Sequence, residues 1–138
     1  MDEDTAGVLF YRCDLHIHSY GASHDVEDAL MTPEAIVGRA ASEGLSVIAI
    51  PDHNEISNVR SAITAATTTQ QVTAVPGVEL STPQGHLLVY FKEFDDLQRY
   101  FGSLDLRDRG TEKSRCADSM SVCLQRIDPS LGFGILAH

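Results

Sequence analysis

From 11 to 18 the chain alternates. Cys13, Leu15 and Ile17 fall on one side and Asp14, His16 and His18 on the other, the period-two pattern of a strand with one polar face. A polar stretch, 19–30, reads as a loop. Thr32-Pro33-Glu34 then opens a helix, with Thr32 as the cap and Pro33 in the first turn, where its missing N–H costs nothing. Ala35, Ile36, Arg39 and Ala40 continue that helix, and Gly44 suits its end. The short apolar run over 45–51 suits a strand buried on both faces. A second helix is predicted over 57–68, in an Ala- and Thr-rich stretch that is the weaker helix former. Strands are predicted over 72–79 and 86–91, with Pro83-Gln84-Gly85 as the turn between them. Phe94, Leu97, Phe101 and Leu104 recur at helical spacing and predict an amphipathic helix over 94–104. The charged stretch 106–115 reads as a loop, 117–127 as a helix, and 134–138 as the start of a fifth strand. Strands alternating with helices predict an α/β fold with a parallel, helix-covered sheet.

Composition narrows this picture. The chain has 138 residues, is 43% hydrophobic and 22% charged, and suits one globular domain. It contains no apolar run near the ~18 residues that would span a bilayer. Met1-Asp2-Glu3-Asp4 is acidic with no apolar segment behind it, which is unlike a signal peptide. The expected division is an acidic N-terminal tail over 1–10 and a domain over 11–138. That domain is expected to be cut at its C-terminal side, because 135–138 reads as a strand with no helix to follow. Three scattered cysteines, Cys13, Cys116 and Cys123, make no disulfide framework and no zinc knuckle, so a reducing cytoplasm is the simplest location. Cys13 is expected in the core, and Cys116 and Cys123 at the inner side of a packed helix. The net charge of -10 argues against a sequence-independent grip on nucleic acid, though bound divalent cations would change the sign of the local field.

Candidate chemistry lies at the predicted strand ends. His16, His18, His53 and His138, with Glu79, fall at the C-terminal ends of predicted strands, while His86 begins one. In parallel α/β folds those ends form one rim, where sites are built from residues distant in sequence. His16 and His18, two apart on a strand, face one way as a chelating pair, and Asp14 on that face could orient a ligand. Each residue alone has a plain reading. His-x-His on a strand is weak evidence, His53 in Asp-His-Asn suits a polar loop, His86 a half-buried strand, and His24 a solvated loop. Together, at successive strand ends, they favour a site for zinc, manganese or iron.

The ordered motifs then become specific. Asp14-Leu15-His16-Ile17-His18-Ser19, Pro51-Asp52-His53-Asn54, Pro76-Gly77-Val78-Glu79, Gly85-His86-Leu87-Leu88 and Leu136-Ala137-His138 resemble the PHP (polymerase and histidinol phosphatase) family across nearly the whole chain. The resemblance implies a distorted (β/α)7 TIM-like barrel, here an incomplete N-terminal portion of about five strands. It implies two or three divalent metal ions at the C-terminal rim. His16 and His18 would hold the first metal, Glu79 would bridge, His53 and His138 would hold the second, and His86 the third. Asp25 would be the loop ligand, with His24 as its competitor. The family's Thr before Asp-His is Pro51 here, and its last Asp-x-His-like motif is absent from this sequence. The chain alone is therefore expected to bind fewer metals, and inactivity in isolation stays open. A narrower similarity is to PHP domains fused ahead of larger ATPase-like proteins.

The function expected from this set is metal-dependent hydrolysis of a phosphoester by a metal-bridged hydroxide, with His16, His18, Glu79 and His53 as the catalytic residues. The substrate is expected to be a phosphorylated small molecule, a nucleotide or nucleic acid. A membrane is not expected as a partner, and further domains C-terminal to this chain are. The alternative is a metal-binding regulatory or structural module of a larger protein. Hydrolysis of a C–N bond ranks last, because Lys92 and Lys113, the two lysines, lie at no predicted strand end.

Overall fold

The computed structural model describes residues 10–138. The acidic tail expected over 1–10 lies, but for Phe10, outside the described residues. The chain builds two three-stranded sheets that meet at the candidate ligands. In the first, β1 (Cys13–Asp14), β2 (Val47–Ala49) and β3 (Thr73–Val75) pair in parallel in that order. Two helices form the crossovers. α1 (Pro33–Ser42) starts as predicted, with Thr32 Oγ1 accepting from the Ala35 N–H at 3.2 Å, and Gly44 follows its end at φ +70°. α2 (Val59–Thr69) is the Thr-rich helix, and its hydroxyls stay within it: Thr64, Thr67 and Thr68 each donate to the carbonyl four residues back. Ile48 and Ile50 from the sheet pack between Ile36, Val37 and Ala40 of α1 and Ala62 and Ala66 of α2.

The second sheet is antiparallel. β4 (Gly77–Thr82) and β5 (Gly85–Phe91) form a hairpin, and β8 (Gly132–Leu136) pairs with the other edge of β5. Three expectations need correction here. The strand expected over 72–79 is two strands in different sheets, because Pro76 has no N–H to continue the ladder and the chain turns there. Glu79 accordingly lies inside β4 and does not end a strand. The fifth strand runs antiparallel, so the wholly parallel sheet is replaced by a parallel half and an antiparallel half. The halves join at one parallel bridge, His53 to Glu79. The described residues form no closed barrel.

β5 shows how the second sheet divides. Leu87, Val89 and Phe91 point to the larger core, against Leu97, Tyr100 and Phe101 of α3 (Phe94–Gly102) and Cys123 of α4 (Met120–Gln125). Leu88 and Tyr90 point to the opposite face, with Ala49. His86 shares that inner face by strand alternation, and Glu79 joins it as the cross-strand partner of Leu88.

Residues 106–115, expected as a loop, include β6 (Leu106–Arg107), which pairs with β7 (Arg115–Cys116). The helix expected over 117–127 begins only at Met120, where Ser119 caps it. Cys13 is exposed rather than in the core, because β1 is a two-residue edge strand paired on one side only. Cys116 and Cys123 are buried as free thiols, with Sγ atoms 3.7 Å apart. No helix among the described residues is long and apolar enough to cross a membrane.

Candidate metal centre

Glu79 is the middle of the site. Its side chain is fully buried, and the ladder to β5 fixes its backbone on one side. On the other side the Glu79 N–H donates to Asp52 O at 3.1 Å, and the Asn54 N–H donates to Glu79 O at 2.8 Å. Asn54 takes a left-handed φ of 50°, a conformation that asparagine tolerates better than most residues. This turn places His53 directly beside Glu79.

Five imidazoles surround the carboxylate. His16 Nε2 and His18 Nε2 each lie 2.8 Å from Oε2 and 3.1 Å from each other, and His53 Nδ1 lies 3.8 Å from Oε2. His86 Nδ1 lies 2.7 Å from Oε1, and His138 Nε2 3.8 Å from the same oxygen. Glu79 thus has histidines on both oxygens, as a bridging carboxylate requires. Among the described residues, the donor atoms close enough to surround one ion are those of His16, Glu79 and His138 in one group and of His18, His53 and Glu79 in another. These groups pair the histidines differently from the pairing that the resemblance implies.

Asp25 also reaches the cluster. Its Oδ2 lies 2.9 Å from His18 Nδ1 and 3.5 Å from His53 Nε2, and its Oδ1 accepts from Ser23 Oγ at 2.7 Å. With His18 Nε2 directed at Glu79, this is the geometry in which a carboxylate orients a ligating imidazole from behind. His24 is exposed, with its ring 5.0 Å from that of His53. Asp14 accepts the His16 backbone N–H at 3.2 Å and so holds the turn of the His-x-His segment rather than a ring.

The arrangement fits divalent metal on two observations. First, three ligand atoms crowd within 3.1 Å, and N–H groups on both rings aimed at one oxygen would leave like groups facing each other. Second, His53 Nδ1 is buried with no hydrogen-bond partner among the described residues. Such an orphan costs ~1–3 kcal/mol, which a cation on that nitrogen would remove. Nitrogen and carboxylate donors together suit zinc, manganese or iron. The electrostatics of these side chains agree. Burial alone would lower the His18 pKa, but hydrogen bonds to Glu79 and Asp25 outweigh it and raise it to about 9. Burial would raise Glu79, but the bonds from His18 and His16 hold it well below the usual carboxylate range. Asp25 is held at about 2 against its own burial, by Ser23 and His18. Burial lowers His53 and favours the neutral ring that binds metal.

Several residues that position this site were given no role from the sequence, although Ser19 and Asp52 lie within the quoted motifs. Asp52, fully buried, accepts from the Ser19 N–H and from Ser19 Oγ, both at 2.6 Å, and so ties the end of the His-x-His segment to the loop that bears His53. Asn58 Nδ2 donates to Ser19 Oγ at 2.9 Å. Tyr90 reaches across the sheets to donate to Leu15 O at 2.6 Å, just before His16. Gly77 makes room for it, since a Cβ there would come 2.8 Å from the Tyr90 ring. The adjacency of Asp52 to His53 and of Ser19 to His18 was the one clue available.

An α/β frame with a histidine–carboxylate cluster where its two sheets join defines a metal-binding α/β domain. The chain belongs to the PHP domain family, whose sequence profile matches residues 14–123. Among solved structures it is similar to an amidohydrolase from Chromobacterium violaceum with bound sulfate and no metal, at 26% identity and a TM-score of 0.51 over 67% of this chain and 32% of that one. It is also similar to a protein from Bifidobacterium adolescentis provisionally described as a metal-dependent phosphoesterase, at 20% identity and a TM-score of 0.49 over 66% of this chain and 32% of that one. The chain therefore spans about a third of the length of these structures. No curated protein matches it.

Proposed function

We propose that this chain carries the metal-binding part of a metal-dependent phosphoesterase, with His16, His18, His53, Glu79, His86 and His138 as the metal-binding set and Asp25, the loop ligand the resemblance implies, as the carboxylate that orients His18. The observation that supports it most directly is the buried Glu79 with imidazoles on both carboxylate oxygens. Divalent ions held there would neutralise phosphate oxygens and lower the pKa of a coordinated water toward ~7. The chain's own residues would do the rest. Glu79 and the histidines fix where the substrate's phosphate sits, and Asp25 holds His18 in one orientation and tautomer. His16, His18, Glu79 and His53 are the residues we assign to catalysis. The reading includes the family's distorted seven-stranded barrel for the longer protein, a phosphorylated small molecule or nucleotide as substrate, and a cytoplasmic location.

The test is elemental analysis of protein purified without chelator, paired with phosphomonoester and phosphodiester assays in added manganese. At least one tightly bound zinc, manganese or iron ion per chain, with turnover, is the expected result. Metal without turnover favours the alternative of a metal-binding module. Folded protein that takes up no metal would overturn the assignment.

A further inference from the structure

Beside the His53 edge of the cluster lies a cavity of about 250 Å³. One wall is the loop after β1, including Ala22, Ser23 and His24, and the other is the turn between β6 and β7, including Thr111 and Ser114. This second wall is fastened to the residues just after His53. Asn54 Nδ2 donates to Ser114 O at 3.0 Å, and Arg109 pairs with Glu55 at 3.0 Å. The cavity is therefore built onto the metal-binding loop rather than onto a separate element.

Its lining includes the hydroxyls of Ser23, Thr111 and Ser114 and no Lys or Arg. Four of the ten Lys and Arg residues fall within 107–115, but Arg107 is paired with Asp105, Arg109 with Glu55 and Arg115 with Asp108. Lys113 does not line the cavity. The Ser114 side chain is the unsatisfied group: its residue is 8% exposed, and its hydroxyl has no hydrogen-bond partner among the described residues. The size also discriminates, since pockets that enclose a drug-sized ligand span ~300–1,000 Å³.

We infer that this cavity receives the leaving group of the substrate, and that the substrate is a phosphomonoester of a small, neutral, polyhydroxylated alcohol of about pentose size. This rests on the phosphoesterase reading above. Hydrolysis then breaks the phosphorus–oxygen bond to the alcohol. A water oxygen bonds to phosphorus, a water proton goes to the departing oxygen, and the products are the alcohol and inorganic phosphate. Ser114 reads a hydroxyl of the alcohol, and no Lys or Arg lines the cavity to receive a second anionic group.

The experiment titrates ribose 5-phosphate and methyl phosphate, which lacks the polyol, into the manganese-loaded 138-residue chain, and follows hydrolysis of both in parallel. Ribose 5-phosphate should bind tighter by roughly tenfold or more, because a site built to hydrogen-bond hydroxyls rejects a ligand without them. Ala22→Leu fills the cavity from a half-buried position and should erase that preference, while manganese content and inorganic phosphate binding stay as in the parent. Ser114→Ala should weaken ribose 5-phosphate by roughly two- to tenfold, the range of one lost hydrogen bond. Equal binding of the two esters by the parent overturns the proposal, and so does an unchanged preference in Ala22→Leu. Preferential binding without hydrolysis of either ester would uphold the cavity and sink the phosphoesterase reading, whereas hydrolysis without preference would do the reverse.

Discussion

The two sheets supply the candidate centre in different ways. The parallel sheet gives residues beyond its strand ends: His16 and His18 follow β1, and His53 follows β2. The antiparallel sheet gives residues mainly from within its strands, Glu79 in β4 and His86 in β5, and one from beyond an end, His138 after β8. A strand interior is clamped by its ladder on at least one side, so Glu79 can be fully buried and still keep its place. A loop end has no ladder, and its side chains are placed by particular bonds, such as Ser19 to Asp52 and Tyr90 to Leu15. The antiparallel half therefore holds the shared carboxylate with His86 and His138 on one of its oxygens, and the parallel half brings His16, His18 and His53 to the other.

That division can be broken at several points. Glu79→Gln should have the largest effect, because it touches the histidines of both halves at once. Metal affinity should fall by more than the ~10–100-fold typical of a lost outer partner, as read by titration with a chelating dye. His16→Ala combined with His18→Ala should remove at least one ion while the fold survives, since both rings come from the loop side. Elemental analysis with a far-ultraviolet dichroism spectrum checks this, and an unchanged metal content would sink the assignment of the pair.

A third change attacks the antiparallel half without touching a ligand. A Cβ at Gly132 would run into the Tyr90 carbonyl and the Phe91 ring, which lie across the β5–β8 ladder. Gly132→Ala should cost about 1–3 kcal/mol in urea unfolding, the usual range for overpacking. The smallest effect belongs to the scaffold of the parallel half. Thr32→Ala removes the cap of α1 and should cost about 1 kcal/mol, with metal content unchanged.

Acidity sharpens the contrast further. Glu79 is held below its ordinary value of 4.5, so its contribution to the stability of the metal-free chain is present above that pH and lost as pH falls. His18 is raised from 6.5 to about 9, so its contribution is fully present below 6.5 and lost as pH rises through about 9. In chelator, the cluster's contribution to Tm should therefore decline on both sides. Saturating manganese should flatten the alkaline side, because the ligands then hold metal in place of protons. A Tm profile identical with and without manganese would contradict this.

Much of this was legible in the chain itself. The cap at Thr32-Pro33, the stop at Gly44 and the β5 strand follow from local chemistry, because caps and alternation are short-range effects. The family was legible as well, since its motifs are short, ordered and dominated by histidine and carboxylate. Pairing direction was not. Nothing local in 132–136 says that β8 runs antiparallel to β5, and the break that Pro76 makes in one apolar stretch does not say that the pieces on its two sides join different sheets. Cys13 looked like a core residue because alternation shows a face but not whether another element covers it. The sequence by itself determined which residue types could bind metal and roughly where the helices begin and end. Only the tertiary structure decided that Glu79 lies beneath five imidazoles, that Asp52 and Tyr90 hold the loop ends, and that the β6–β7 turn walls a cavity beside His53. Those facts depend on contacts between residues tens of positions apart, which no local pattern encodes.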